Sequence, residues 1–129
     1  MSIAVKILLV ALSGGVGAVC RYLIMQYLKV SNAIMGLDTL IINSTACFII
    51  GVCAGWVANS SWSPEARNTF VLLTMTGFCG GFSTFSAFTL DCVKYYEAGH
   101  ILTWVVFGTL TVFIGLFGCA LGYWIGHRI

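Results

Sequence analysis

The nonapeptide GGFSTFSAF, residues Gly80 to Phe88, lies inside a stretch that carries no charge between Asn68 and Leu90. Two adjacent glycines weaken a helix, because glycine loses more backbone freedom on folding than any other residue. The same segment holds three hydroxyl side chains and three phenylalanines, although hydroxyls are uncommon in a membrane-spanning segment. Backbone that leaves a helix at membrane depth survives only where it is buried in protein or lines a cavity. The nonapeptide therefore predicts a helix break near the middle of the membrane.

The rest of the sequence predicts an all-α integral membrane protein. Of its 129 residues, 60% are hydrophobic and 8% are charged, whereas about a quarter of a soluble domain is commonly charged. The chain contains four continuous apolar windows, each about as long as a helix that crosses a membrane. Windows of that length favour helices over barrel strands, which are shorter and alternate in polarity. The first window is too long for a signal peptide, contains Arg21 and lacks a small-residue cleavage signal. We predict one four-helix transmembrane domain over residues 1–129, with apolar windows at Ile3–Leu28, Thr39–Asn59, Asn68–Leu90 and Ile101–Gly126.

The basic residues do not fix an orientation in the membrane. Short loops on the cytoplasmic side normally carry the excess of Lys and Arg. Here each side has three, with Lys6, Arg67 and Arg128 on one side and Arg21, Lys29 and Lys94 on the other. Two explanations fit this balance equally well. Either it arises by chance in a chain with few charges, or the chain inserts in both directions and two copies pair in antiparallel fashion.

Glycines recur at a spacing of four residues in the last three windows. Such small-xxx-small faces let helix backbones approach closely in a membrane. A four-helix subunit is also small for a transport protein, so we expect an oligomer, although this pattern does not separate packing within a subunit from packing between subunits. The glycines are Gly51, Gly55, Gly77, Gly81, Gly118, Gly122 and Gly126.

Polar side chains inside the windows are the candidate functional residues, because such groups are costly in a membrane. Thr39 and Asn43 share one face of the second helix, where Asn43 either donates hydrogen bonds to an anion or joins two helices. Arg21 either reaches the membrane surface or attracts anions into a vestibule. Asp91 is the only carboxylate deep in a window, and it either pairs with a neighbour or carries protons. Thr111 supplies a hydroxyl near the middle of the fourth helix.

The third window carries a stripe of hydroxyl, aromatic and acidic side chains. Free carbonyls at a helix break can coordinate a cation, as unwound transporter helices do. Phenylalanines in membrane helices usually serve packing, but a phenyl ring has a positive edge that helps to solvate an anion. Phe85 lies beside the stripe, which runs through Thr84, Phe88, Asp91 and Tyr95.

Several classes of function are disfavoured by the residues present. No nucleophile–base pair or phosphate-binding loop points to an enzyme. A net charge of +2, dispersed along the chain, does not indicate nucleic-acid binding. The six cysteines form no C-x-x-C motif, and no histidine is placed to complete a metal site with them, so we interpret them as small buried hydrophobic residues.

Together these motifs resemble the CrcB or Fluc family of fluoride channels over essentially the whole chain. The family pattern GxxGGxTTFSTFSxE is similar to the segment from Gly77 to Asp91. The pattern TLxxN corresponds to Thr39–Asn43. The pattern GGxxGxxxR on the first helix is similar to the segment that begins at Gly14 and ends at Arg21, which has one residue fewer between its glycines. The order of the motifs and the chain length agree with the family, as does the spacing within the motifs of the second and third helices.

The resemblance implies passive export of fluoride by an antiparallel, dual-topology homodimer with two pores in a bacterial inner membrane. It implies that Phe85 and Phe88 line the pore and that Asn43 contacts the anion. It further implies a structural Na⁺ bound by the backbone carbonyls of Gly80 and Ser83. Arg21 would mark a vestibule, and the remaining residues that we assign to the fluoride pathway are Thr39, Thr84, Ser86, Asp91 and Thr111.

The chain also departs from the family pattern by single substitutions. Ser83 replaces a usual threonine and keeps the backbone carbonyl, whereas Ala87 replaces another threonine and removes a hydroxyl. Asp91 stands where glutamate is favoured and has a shorter reach. Asp38 precedes the TLxxN pattern where glycine is common.

Two other functions fit a small four-helix membrane protein. A small multidrug-resistance-like, proton-coupled antiporter places an essential carboxylate in the first helix, but this chain has none there. A membrane scaffold without transport activity gives no reason for the interleaved hydroxyls and rings of the third helix. Selective fluoride flux separates the channel from both.

Overall fold

The computed structural model describes the backbone of residues 1–31 and 35–129, and the side chains of residues 1–28 and 35–129. The side chain of Lys29, counted above for orientation, and residues 32–34 of the first loop lie outside the described part. Every regular element within the described ranges is a helix. The elements are α1 (Ile3–Ser31), α2 (Leu37–Asn59), α3 (Pro64–Phe70), a π-helical segment (Val71–Cys79), α4 (Gly80–Phe82), α5 (Phe85–Glu97) and α6 (Ile101–Gly126).

These elements form four spans that are long and apolar enough to cross a membrane, as the windows predict. The third span runs from Pro64 to Glu97 and contains α3, the π-helical segment, α4 and α5. It begins before the predicted Asn68, because Ser63 caps it by accepting a hydrogen bond from the Ala66 backbone N–H at 3.2 Å and proline follows at the first helical position. The chain is a multi-pass membrane protein.

The spaced glycines hold the helices together within one chain. A Cβ atom at Gly51 would collide with the carbonyl oxygen of Cys119, so α2 and α6 touch backbone to backbone. A Cβ atom at Gly81 would collide with the Gly14 carbonyl oxygen, which joins α4 to α1 in the same way. Helices without a hydrophobic driving force between them are held by such close contacts.

Most large apolar side chains point outward, which is the reverse of a soluble helix bundle. Leu12, Leu102 and Phe117 are among many exposed hydrophobic residues. The buried core is small and lies where α2 meets the third span, with Ile42, Ala46 and Phe82 packed together. This distribution suits a chain whose outer surface meets hydrocarbon.

Gly36 sets the start of α2 next to the third and fourth spans. Its φ of 79° lies in the left-handed region that glycine adopts readily. A Cβ atom there would also lie 2.8 Å from the Phe107 ring and 3.6 Å from Oδ2 of Asp91. The tight start of α2 therefore brings Thr39 and Asn43 close to α5 and α6.

Candidate functional site

The third span is broken between Phe82 and Phe85, in agreement with the predicted helix break. Ser83 has φ −75° and ψ 158°, and Thr84 has φ −149° and ψ 107°, so both residues are extended. The preceding glycines do not form the break themselves, since Gly80 keeps helical angles of −63° and −37°. Upstream of the break, nine residues are π-helical, a rare geometry that occurs mostly as short insertions and often at functional sites.

Asn43 satisfies the backbone of the break from the neighbouring helix α2. Its Nδ2 donates to the Thr84 carbonyl oxygen at 2.9 Å, and its Oδ1 accepts from the Thr84 backbone N–H at 2.8 Å. The side-chain amide thus replaces a neighbouring peptide group, which explains how extended backbone is tolerated at this depth. A carboxamide nitrogen has two hydrogens, and only one of them is used in this pair.

The break also changes the hydrogen bonding of the carbonyls predicted to bind Na⁺. In a continuous α-helix the Gly80 carbonyl would accept from the Thr84 N–H, and the Ser83 carbonyl would accept from the Ala87 N–H. Here the Thr84 N–H donates to Asn43, and the Ala87 N–H donates to Thr84 Oγ1 at 3.2 Å. Gly80 and Ser83 therefore both lose their regular helical partners. Backbone carbonyls of this kind suit a hard cation.

A groove of about 410 Å³ lies between α2, α5 and α6. Phe85 and Phe88 are on its α5 side, with ring centroids 5.6 Å apart and ring planes at 50°. The Phe85 ring is 76% exposed, whereas Phe88 is half-buried and its ring lies 5.7 Å from that of Phe107. The groove is lined by Asn43, Cys47, Ser83, Phe85, Phe88, Thr111, Val112, Gly115, Leu116 and Cys119.

The hydroxyls in and near the groove already have hydrogen-bond partners. Thr111 Oγ1 donates to the Phe107 carbonyl at 2.7 Å, and Ser83 Oγ donates to the Cys79 carbonyl at 2.9 Å. Thr84 Oγ1 accepts from the Ala87 backbone and lies 3.2 Å from Ser86 Oγ. Since each hydroxyl has one hydrogen, Thr111 and Ser83 would have to turn away from these carbonyls to donate to an anion.

Thr39 and Asp91 form a second polar cluster beside the groove. Thr39 Oγ1 donates to Asp91 Oδ2 at 2.7 Å, and both residues are buried, with 1% and 9% exposed surface. Lys94 Nζ lies 3.9 Å from the other carboxylate oxygen. On the same face, Tyr95 donates its hydroxyl to the Met35 carbonyl at 2.5 Å. The cluster ties α5 to the start of α2.

The structure thus brings together only part of the predicted pathway. Asn43, Phe85, Phe88 and Thr111 share the groove. Thr39, Thr84, Ser86 and Asp91 are close to it but do not line it, and half-buried Arg21 lies on α1 outside its lining. The sequence interpretation has all six cysteines buried, whereas Cys47 and Cys119 are half-buried and line the groove together with Gly115, to which the sequence assigned no role. Their position on α2 and α6, one or two turns from Asn43 and Thr111, was the available signal.

The fold and the site define a class: a multi-pass membrane protein with a broken third span and a groove that combines an amide, hydroxyls and rings. A family profile described as "CrcB-like protein, Camphor Resistance (CrcB)" matches residues 8–123. The chain therefore belongs to the CrcB family, as the motifs suggest.

Relatives of known name cover nearly the whole chain, and each is called "Fluoride-specific ion channel FluC". The protein of Azobacteroides pseudotrichonymphae is 34% identical over 119 residues, which cover 92% of this chain and 93% of the relative. The Gloeothece citriformis protein is 34% identical over 124 residues, covering 95% and 98%. The Dehalococcoides mccartyi protein is 39% identical over 121 residues, covering 87% and 90%. These relatives are named as ion channels and not as enzymes.

Proposed function

We propose that this protein is a fluoride-selective ion channel that releases fluoride passively from the cell across the bacterial inner membrane. The observation that carries the proposal is the groove, where Asn43 is held rigidly beside two phenylalanine rings. Membership of the CrcB family and the names of the relatives support the choice of ion. No step of the proposal requires an energy source or a catalytic group.

The central physical requirement is replacement of the water around fluoride. Moving an unsolvated charge into hydrocarbon costs on the order of tens of kcal/mol, so the protein must supply hydrogen-bond donors. The second N–H of Asn43 is a donor that Thr84 does not use. A hydrogen bond to a charged group contributes about 1.5–3 kcal/mol. Because Thr84 fixes the amide in place, little entropy is lost when an anion arrives.

Phe85 and Phe88 supply weaker attraction and limit the width of the path. The positive edge of a phenyl ring attracts an anion, whereas its face repels one. The two rings are tilted by 50° to each other, so their edges are directed differently along the groove wall. The rings lie against each other on one wall of the groove, so the path that we propose runs along them, where they exclude bulk water and disfavour the larger chloride ion.

The hydroxyls provide donors that do not bind the ion too tightly. Thr111 and Ser83 can move their hydrogens from a helix carbonyl to a passing anion and back. Each transfer exchanges one hydrogen bond for another, so the net gain is small. Conduction requires sites that are favourable enough to admit an ion and weak enough to release it.

The working unit that we propose is an antiparallel, dual-topology homodimer with two pores. The even distribution of basic residues supports insertion in both directions. The exposed Phe85 ring and the open space beside Gly80 support a second copy packing against the break. Two antiparallel copies would give four carbonyl oxygens for a structural Na⁺, two each from Gly80 and Ser83. The ion would contribute a fixed positive charge and hold the copies together.

Ion efflux from vesicles tests the proposed function. Purified protein is reconstituted into liposomes loaded with the potassium salts of fluoride and chloride. A potassium ionophore is then added, so that K⁺ leaves with the anions and no opposing membrane potential develops, and selective electrodes follow both halides. The proposal predicts rapid loss of fluoride with retention of chloride. Equal loss of both ions would reject the proposal, and so would a protein that transports no fluoride and only exchanges organic cations for protons.

A further inference from the structure

Two cysteines lie on the wall of the groove that we propose as the fluoride path. Cys47 on α2 and Cys119 on α6 line it together with Asn43. Both are free and half-buried. The proposed function gives neither thiol a role.

The two cysteines belong to one seam between α2 and α6. The Cys47 Sγ faces α6, since a Cβ atom at Gly115 would lie 3.3 Å from it. Cys119 follows Gly115 by one helical turn, so it lies on the same face of α6. Gly51 follows Cys47 by one turn and packs against the Cys119 carbonyl oxygen. The two thiols therefore lie about one helical turn apart along the contact between α2 and α6, and both lie at the groove.

We infer that Cys47 and Cys119 form a binding site for a soft metal cation that prefers two ligands, and that occupation of this site closes the groove. The second half of this inference rests on the proposed function. Thiolates are soft ligands that select soft metals. Zn²⁺ in structural sites takes four ligands, but the described residues contain no group of three or more His, Cys, Asp or Glu that could hold a metal. Two thiols instead suit an ion such as Hg²⁺.

The binding step needs no oxidant or reductant. Each thiol loses its proton to water, two S–H bonds are replaced by two S–Hg bonds, and the +2 charge of the metal is cancelled by two thiolates. The product is neutral, which suits a site at membrane depth. It places a large atom beside Asn43 and Phe88, where fluoride would have to pass.

Titration with Hg²⁺ tests the inference by two independent measurements. The absorption of sulfur-to-mercury charge transfer counts the thiols bound in detergent-solubilised protein, and fluoride efflux measures closure of the groove. We expect Hg²⁺ to abolish most of the efflux and excess dithiothreitol to restore it. In the double variant Cys47→Ser/Cys119→Ser, we expect one fewer bridging Hg²⁺ per chain and loss of inhibition, each relative to that variant's own uninhibited efflux.

Cys53→Ser is the matched control, because Cys53 is also half-buried on α2 but does not line the groove. It should keep the inhibition. The pair Cys47→Ala/Cys119→Ala replaces the serine variant if the latter fails to elute as a single species. An unchanged mercury count, or inhibition that persists in the double variant, would overturn the site. Absence of fluoride efflux from the unmodified protein would reject the proposed function, while a reduced mercury count would still support the metal site.

Discussion

Asn43 holds both backbone groups of Thr84, donating to its carbonyl at 2.9 Å and accepting from its N–H at 2.8 Å. One side chain on α2 thus stabilises the break in the third span and also lines the groove, and Thr84 uses only one of its two amide hydrogens. The two interpretations that the sequence leaves open for Asn43, helix contact and anion donor, are compatible in this geometry. The break and the proposed fluoride site depend on the same residue.

Substitution of Asn43 should therefore affect stability and transport together. In Asn43→Ala the Thr84 N–H and carbonyl lose their partners, and each buried unsatisfied group costs about 1–3 kcal/mol. We expect a lower unfolding temperature in detergent and loss of most fluoride efflux. Thr45→Ala, at an exposed position on the same helix, is the control and should change neither. An unaltered efflux rate in Asn43→Ala would leave Asn43 as a helix contact alone.

Replacement of the rings should slow fluoride while leaving the fold intact. Phe85→Ile and Phe88→Ile remove the positive ring edges but keep apolar volume, so we expect strongly reduced efflux and normal elution on size-exclusion chromatography. Phe117→Ile, at an exposed ring on α6 that does not line the groove, should retain the rate of the unmodified protein. Normal flux in both groove variants would rule out a path along these rings.

The contact between Thr39 and Asp91 should contribute to stability. Thr39→Val leaves a buried carboxylate oxygen without its donor at 2.7 Å, and we expect a loss of about 1–3 kcal/mol. Thr39→Ser keeps the donor and should recover most of this loss. Thermal unfolding in detergent, followed by fluorescence, measures the difference. Equal unfolding temperatures for the valine and serine variants would mean that the hydrogen bond contributes little.

Gly81, which packs against α1, and Gly15, which is exposed on α1, should respond in opposite ways to alanine. In Gly81→Ala the new methyl group collides with the Gly14 backbone, which cannot move aside without separating α1 from α4. We expect poor yield of folded protein. A Cβ atom at Gly15 meets nothing within 4 Å, so Gly15→Ala should fold normally or gain up to about 1 kcal/mol from helix propensity. Similar yields for the two variants would contradict the packing described for α1.

Because the proposed Na⁺ is bound by backbone carbonyls, its effect on efflux should not depend on the side chain at Ser83. Replacing Na⁺ by a large organic cation during purification and reconstitution should lower fluoride efflux or the dimer fraction. Ser83→Ala keeps the carbonyl oxygen and removes the hydroxyl that donates to Cys79. Its efflux rate should fall with the loss of this donor, but the fractional effect of removing Na⁺ should match that of the unmodified protein. Full activity and an intact dimer without Na⁺ would exclude a structural role for the ion.

Much of the fold could be predicted because it depends on local properties of the sequence. Apolar length predicted the four spans, and the Gly80–Gly81 pair followed by Ser83 and Thr84 predicted the break, which lies at the two hydroxyl residues and not at the glycines. The third span begins at Pro64, before the predicted Asn68, because Ser63 caps the helix and proline follows it, and apolar length does not detect such a start.

The partners of individual polar atoms could not be predicted. Asn43 and Thr84 are 41 residues apart, and Thr39 and Asp91 are 52 apart, so their contacts depend on the packing of helices and not on spacing. The same holds for the glycines, which pack within the chain at Gly51 and Gly81. The sequence motifs indicate the candidate pathway residues, and the three-dimensional arrangement separates those that line the groove from those beside it.

The central claim concerns the Asn43 amide, held by two hydrogen bonds to Thr84, and the rings of Phe85 and Phe88. Together they replace the hydration shell of fluoride but not that of chloride. The most direct measurement is simultaneous fluoride and chloride efflux from vesicles that contain the unmodified protein, with Asn43→Ala vesicles alongside. Our account predicts rapid fluoride release, retained chloride and a large loss of fluoride flux in the variant. Equal release of both halides, or fluoride flux that does not respond to the loss of Asn43, would contradict it.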